Sequence, residues 1–114
     1  MDRINLNVSA IDYDKTSKNI QSTLSRLEEM VHSEGEFKMT DSEFAFGWHF
    51  FVVSVSRNMV QKLADQMGKD FDRLKGKGME KKFLTWLTNA MGPDTPRFKL
   101  AIKEEMESSK YGIF

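Results

Sequence analysis

Cysteine is absent from this chain of 114 residues, proline occurs only twice, and neither sign of charge is in excess: 17 Lys and Arg stand against 17 Asp and Glu. Without cysteine there is no disulfide framework, no cysteine-ligated zinc site and no thiol nucleophile. Zero net charge excludes a uniformly cationic coat for nucleic acid. A long apolar run is missing too. The longest, Phe44 to Val55, is interrupted by Gly47, His49 and Ser54. As a helix it would rise about 18 Å, short of a bilayer core of about 30 Å, so no membrane partner is expected. The opening residues MDRINLNVSAIDYD are too acidic and polar for a secretory signal. These features point to a soluble, cytoplasmic protein.

What is present is ordinary for a globular domain: 39% apolar and 30% charged residues. A chain of this length buries roughly 65% of its unfolded surface, enough for one core, so residues 1–114 are read as a single domain. Residues 4–11 admit two readings. Ile4, Leu6, Val8 and Ala10 alternate as in a strand, whereas Ile4, Val8 and Ile11 fit one helical face. The poor helix formers Asn5, Asn7 and Ser9 favour an extended N-terminal arm over 1–12.

Helical spacing dominates the rest. Ile20, Leu24, Leu27 and Val31 make one stripe of a helix over 14–33, with Asp12, Asp14 or Thr16 as its cap and Gly35 beyond its end. Thr40-Asp41-Ser42-Glu43 has the form of a capping box. After it, Phe44, Trp48, Phe51, Val55, Met59, Leu63 and Met67 keep helical spacing. Phe44, Phe46, Trp48, Phe50 and Val52 also alternate, as in a strand. The capping box and the long downstream stripe favour a central apolar helix over 41–67. Short helices follow over 70–75, over 79–91 (Met79, Phe83, Trp86, Leu87 and Ala90) and over 96–109, the last capped by Thr95 with Pro96 at its first position. The expected fold is therefore an all-α helical bundle of about five segments around helix 41–67.

Zero net charge conceals an uneven distribution. Residues 1–43 carry five basic and nine acidic side chains, and residues 57–82 carry eight basic and four acidic. The basic block is densest at Lys69, Arg73, Lys75, Lys77, Lys81 and Lys82, around Gly76 and Gly78. Glycines let a backbone approach phosphate, and a helix start favours anions, so this is the candidate surface for nucleic acid or another anionic partner. Asp70, Asp72 and Glu80 dilute its field, the P-loop spacing is absent, and helix 79–91 is poor in base-reading side chains.

Motifs for catalysis and ligation are weak. Glu29-Met30-Val31-His32 is one ExxH unit where a di-iron bundle needs two, and Asp12-Tyr13-Asp14 and Asp70-Phe71-Asp72 lack the rest of a calcium loop. His49 lies in the most apolar stretch and, if buried, needs a hydrogen-bond partner. No nucleophile elbow or paired carboxylate stands out, so no catalytic residue, metal or cofactor is expected. Nine phenylalanines, eight methionines and apolar termini suit protein contact instead. The candidates are Ile4, Leu6 and Val8 in the arm and Tyr111, Ile113 and Phe114 in the tail. The expected function is a small non-enzymatic protein acting on a protein partner or on itself, as a homodimer; nucleic-acid binding through 69–82 is the alternative.

Overall fold

The alternation at the N-terminus is a strand. In the computed structural model, which describes residues 3–103, β1 (Arg3–Ala10) turns Ile4, Leu6, Val8 and Ala10 into the core, each at most 1% exposed. Arg3, Asn5, Asn7 and Ser9 take the opposite face. α1 (Tyr13–Met30) starts where the Asp12 carboxylate accepts the Lys15 N–H, and it buries Thr16, Ile20, Thr23, Leu24 and Leu27. Its end is a Schellman turn. The His32 N–H donates to the Glu29 carbonyl and the Ser33 N–H to the Glu28 carbonyl, with His32 in the left-handed position at φ 56°.

The chain returns along β2 (Phe37–Met39) and β3 (Glu43–Ala45), which both pair with the same edge of β4 (Trp48–Ser56). Met39 lies opposite Val53 but Glu43 opposite Phe50, so one extra residue is accommodated between them as a bulge at Asp41 and Ser42. Thr40 bridges the break: its N–H donates to the Val52 carbonyl, and its hydroxyl accepts the Val52 N–H. β4 passes into α2 (Arg57–Met67), whose first turn is capped by the Ser56 hydroxyl accepting the Met59 N–H. α3 (Lys69–Asp72), α4 (Gly78–Met91) and β5 (Phe98–Ile102) complete the described chain.

The sheet order is β2-β4-β1-β5, every pair antiparallel, with β3 continuing the β2 edge. Taking β2 and β3 as one interrupted strand, the connectivity is βαββαβ, the split βαβ arrangement. One contiguous core joins the inward residues of the strands to Ile20, Leu24, Leu27, Met59, Val60, Leu63, Phe83 and Leu87 of the helices. Those helices therefore cover one face of the sheet. Among the described residues no helix is long and apolar enough to cross a membrane.

The expected all-α bundle is thus corrected to a mixed α/β fold with an antiparallel sheet. The supposed central helix over 41–67 is strand as far as Ser56 and helix from Arg57. Its capping box caps nothing, because the Thr40 hydroxyl is spent inside the sheet. Residues 1–12 are no free arm, since β1 occupies the middle of the sheet. Over 96–109, residues 98–102 form a strand, and those beyond 103 lie outside the described residues. The physical reason is pairing. Ile4, Leu6 and Val8 have period two and lie opposite Val55, Val53 and Phe51, so two alternating stripes bury each other while satisfying both backbones. Helical periodicity did locate α1, α3 and α4 within 14–33, 70–75 and 79–91, give or take a residue or two at their starts.

Candidate functional site

Among the described residues no helix covers the second face of the sheet. Rows of side chains run across it, fixed by the strand register. Glu43, Phe50, Ser9 and Lys99 lie side by side on β3, β4, β1 and β5. The next row is Thr40, Val52, Asn7 and Ala101, and beyond it come Lys38, Ser54 and Asn5. Phe50 is 39% exposed in the midst of this face, beside a cleft of about 490 Å³ lined by Asn7, Ser9, Thr40, Asp41, Glu43 and Val52. Trp48 shares the side of Phe50 and carries two cations: the Arg97 guanidinium lies 5.7 Å and the Lys99 ammonium 5.6 Å from its ring centroid. Arg3 is held at the other end, its guanidinium donating to the Ser54 hydroxyl at 2.7 Å and the Ser54 carbonyl at 3.0 Å. The face is therefore an aromatic and aliphatic strip, Trp48–Phe50–Val52, bordered by polar and charged groups.

At the Trp48 end the β3–β4 hairpin projects outward. Phe46 and Gly47 form a two-residue turn with positive φ at both positions, 54° and 82°, as a type I′ turn requires. Asn-Gly is the sequence such a turn favours, and a bulky aromatic in the left-handed region is strained. Phe46 nevertheless stands there 97% exposed, with Phe44 at 66%. Ile11, just past β1 at the same end, is also exposed. Ile11, Phe44, Phe46 and Phe50 account for all but Met30 of the large exposed hydrophobics among the described residues. Replacing Phe46 with asparagine is expected to raise stability by about 0.5–1 kcal/mol through relief of the turn. Urea denaturation reads this, and an unchanged or lower midpoint would refute the strain.

The residues expected from sequence fall elsewhere. Ile4, Leu6 and Val8 are core, and as placed they offer no contact surface. Tyr111, Ile113 and Phe114 lie outside the described residues. The basic set is dispersed around α3 and α4. Arg73 stands 3.8 Å from Asp70, and the Lys82 ammonium braces the loop by donating to the carbonyls of Asp72 and Leu74. Lys69 and Lys75 are exposed. Lys77 and Lys81 do come together, with Arg57, around a cleft of about 390 Å³ at the start of α4. Glu80 already occupies that position as the salt-bridge partner of Arg57. The Arg57 hydrogen bond holds its carboxyl below the usual carboxylate range.

His49 sits on the helix-covered side of β4 with its ring 4.7 Å from Phe44 and 6.0 Å from Tyr13, measured between centroids. Its Nδ1 is buried without a hydrogen-bond partner among the described residues. His32 lies with Glu28 and Glu29 in a surface groove at the end of α1. Among the described residues, no group of three or more His, Asp or Glu side chains is placed to hold a metal ion.

Sequence reasoning missed Trp48, Phe50, Arg97 and Lys99 as one surface, although the signal existed in the alternation from Phe44 to Val52. Phe46-Gly47 between two alternating runs also marks a hairpin once strands are admitted. Comparison with protein-family models, with curated proteins and with solved structures gives no match to this chain.

Proposed function

We propose that this is a small non-enzymatic protein that acts in the cytoplasm by protein–protein contact, as an adaptor, a regulator or a self-associating module. Its contact surface is the uncovered face of the sheet together with the Phe46 hairpin. The observation that carries this reading is the position of the exposed apolar side chains. An antiparallel sheet with one solvated face ordinarily alternates apolar-in with polar-out, yet Trp48, Phe50 and Val52 lie on the outward side of β4. A contiguous apolar strip, half-buried at Trp48 and Val52 and exposed at Phe50, with a polar rim is the composition of an interaction site. A strained aromatic at the hairpin tip adds to it, because backbone strain gathers where function holds it in place.

The test is affinity capture from a lysate of the source cells, run with and without nuclease, using the wild-type chain and a Phe46→Asp, Phe50→Asp variant. A protein partner, including untagged copies of this chain, should survive nuclease and be lost with the double variant. Loss of every partner on nuclease treatment would instead support nucleic-acid binding. The nearest cationic surface for that second reading is the Arg57, Lys77 and Lys81 cleft, and its affinity would fall steeply with added salt.

A further inference from the structure

The uncovered face carries its two signs of charge on opposite edges. In the row Glu43, Phe50, Ser9, Lys99, a carboxylate stands at the β3 edge, a lysine on the β5 edge strand and an aromatic ring between them, the lysine ammonium reaching back toward Trp48. Neighbours reinforce both ends: Asp41 lies in the bulge beside Glu43, and Arg97 lies against Trp48 beside Lys99. We propose that this face pairs with the same face of a second copy of the chain, an inference that rests on the protein-contact reading above and names its partner.

The symmetry is specific. A two-fold axis lying in the contact plane, parallel to the strands and between β4 and β1, exchanges the left and right edges of the sheet. Glu43 then faces Lys99 of the second copy, and Lys99 faces the second copy's Glu43. Phe50 faces Ser9 and stands next to the other Phe50 across the axis. In the following row Val52 faces Asn7 and Thr40 faces Ala101, so no like charges meet in either row. Such an interface is isologous and closes at two copies. Aligned sheets stack about 10 Å apart, which is about the combined reach of a lysine and a glutamate side chain.

Area places the contact in a size class. Three strands of about eight residues and the five residues of β5, with strands about 4.8 Å apart and residues about 3.3 Å along, give a face of roughly 460 Å² per copy. Two copies bury on the order of 1,000 Å², the lower limit for a specific interface. The dimer is therefore concentration-dependent.

Sedimentation velocity over a wide concentration range tests the pairing with Glu43→Lys, Lys99→Glu, an equimolar mixture of the two, and the double exchange. Both sites are exposed, so folding is unaffected and circular dichroism verifies it. Wild type should dimerise with rising concentration. Each single variant should stay monomeric, because like charges then face each other twice. The mixture should recover dimers, since one copy then presents cations at both edges and the other presents carboxylates at both. The double exchange should recover them too, because it reverses both pairs together. A wild type that is monomeric throughout overturns the pairing. So does a dimer indifferent to both substitutions and to mixing. In either case a nuclease-resistant protein partner keeps the contact reading, whereas loss of all protein partners removes that reading as well. A monomer that binds a single-stranded oligonucleotide through Phe50 would assign the face to nucleic acid and overturn the pairing too.

Discussion

Leu6→Ala is expected to cost about 2–5 kcal/mol, the range for truncating a fully buried leucine whose surroundings cannot collapse into the space. Leu6 is 0% exposed and stands on the middle strand of the sheet, with Val53 opposite on one side and Ile102 on the other. Helices cover it from above, so the cavity is closed on every side. A domain of this size has only about 5–15 kcal/mol of stability in all, so the variant should lose a large share of it. Ser9→Ala, on the uncovered face of the same strand, should shift stability by less than about 0.5 kcal/mol. Urea denaturation of both variants gives the comparison. Equal, small losses would mean that β1 is a dispensable arm and that the sheet is assigned wrongly.

Gly76→Ala should produce the second large loss, about 1–3 kcal/mol in chemical denaturation. The residue has φ 117°, and a Cβ built there would lie 2.6 Å from the Lys81 Cβ and 3.1 Å from the Lys81 carbonyl carbon. Neither neighbour can yield easily, because both belong to the first turns of α4. The loop itself is braced as well. The Lys82 ammonium holds the carbonyls of Asp72 and Leu74, and the Thr85 hydroxyl donates to the Lys75 carbonyl at 2.9 Å. Moving the loop to admit a methyl group would strain or break these bonds. Gly35 is the control: it also has positive φ, 67°, but nothing lies within 4 Å of an added Cβ. Gly35→Ala should cost only the backbone penalty of about 1 kcal/mol. If both alanines cost the same, the close approach at Lys81 contributes nothing.

The braced loop changes the meaning of the basic block. Read as sequence, Lys69 to Lys82 is a run of cations around two glycines, open to an anion. In the fold, Lys82 closes the loop, Arg73 leans toward Asp70, and Arg57 arrives from α2 to pair with Glu80. Part of the local charge is thus met within the chain. The acidic and basic regions also adjoin each other, since the Lys62 ammonium donates to the Ser33 hydroxyl and the Gln66 amide to the Met30 carbonyl. The two regions are therefore neighbours within one molecule, joined there by hydrogen bonds. A further opposition lies across the sheet, between Glu43 and Lys99, which are far apart in sequence and become one row only through two intervening strands.

Phe44 to Val55 shows most clearly how far local pattern carries. Phe44, Trp48, Phe51 and Val55 satisfy helical spacing, and Phe44, Phe46, Trp48, Phe50 and Val52 satisfy strand spacing, so periodicity alone is ambiguous for a segment that is apolar on both sides. A capping-box motif tipped the local reading toward helix, but its threonine had a better use across the strand. α1 and α4 had no such rival, because their polar residues leave only one apolar stripe. The contact surface was illegible for a related reason. Trp48 and Phe50 look like core in any apolar run, and only the one-sided placement of the helices leaves them outside.

Composition and spacing alone establish that this chain lacks thiol chemistry, that it has one amphipathic helix near its start and another near residue 85, and that an alternating run opens it. Those properties reside in single segments, whose periodicity does not depend on neighbours. The identity of β4 as a strand, the central place of β1 and the uncovered face all depend on long-range pairing. Hydrogen bonds between residues about fifty positions apart are set by which stripes bury each other best, as Ile4 with Val55 and Leu6 with Val53 do. No local rule weighs that competition, and so the sheet, and with it the surface proposed for function, belongs to the folded chain.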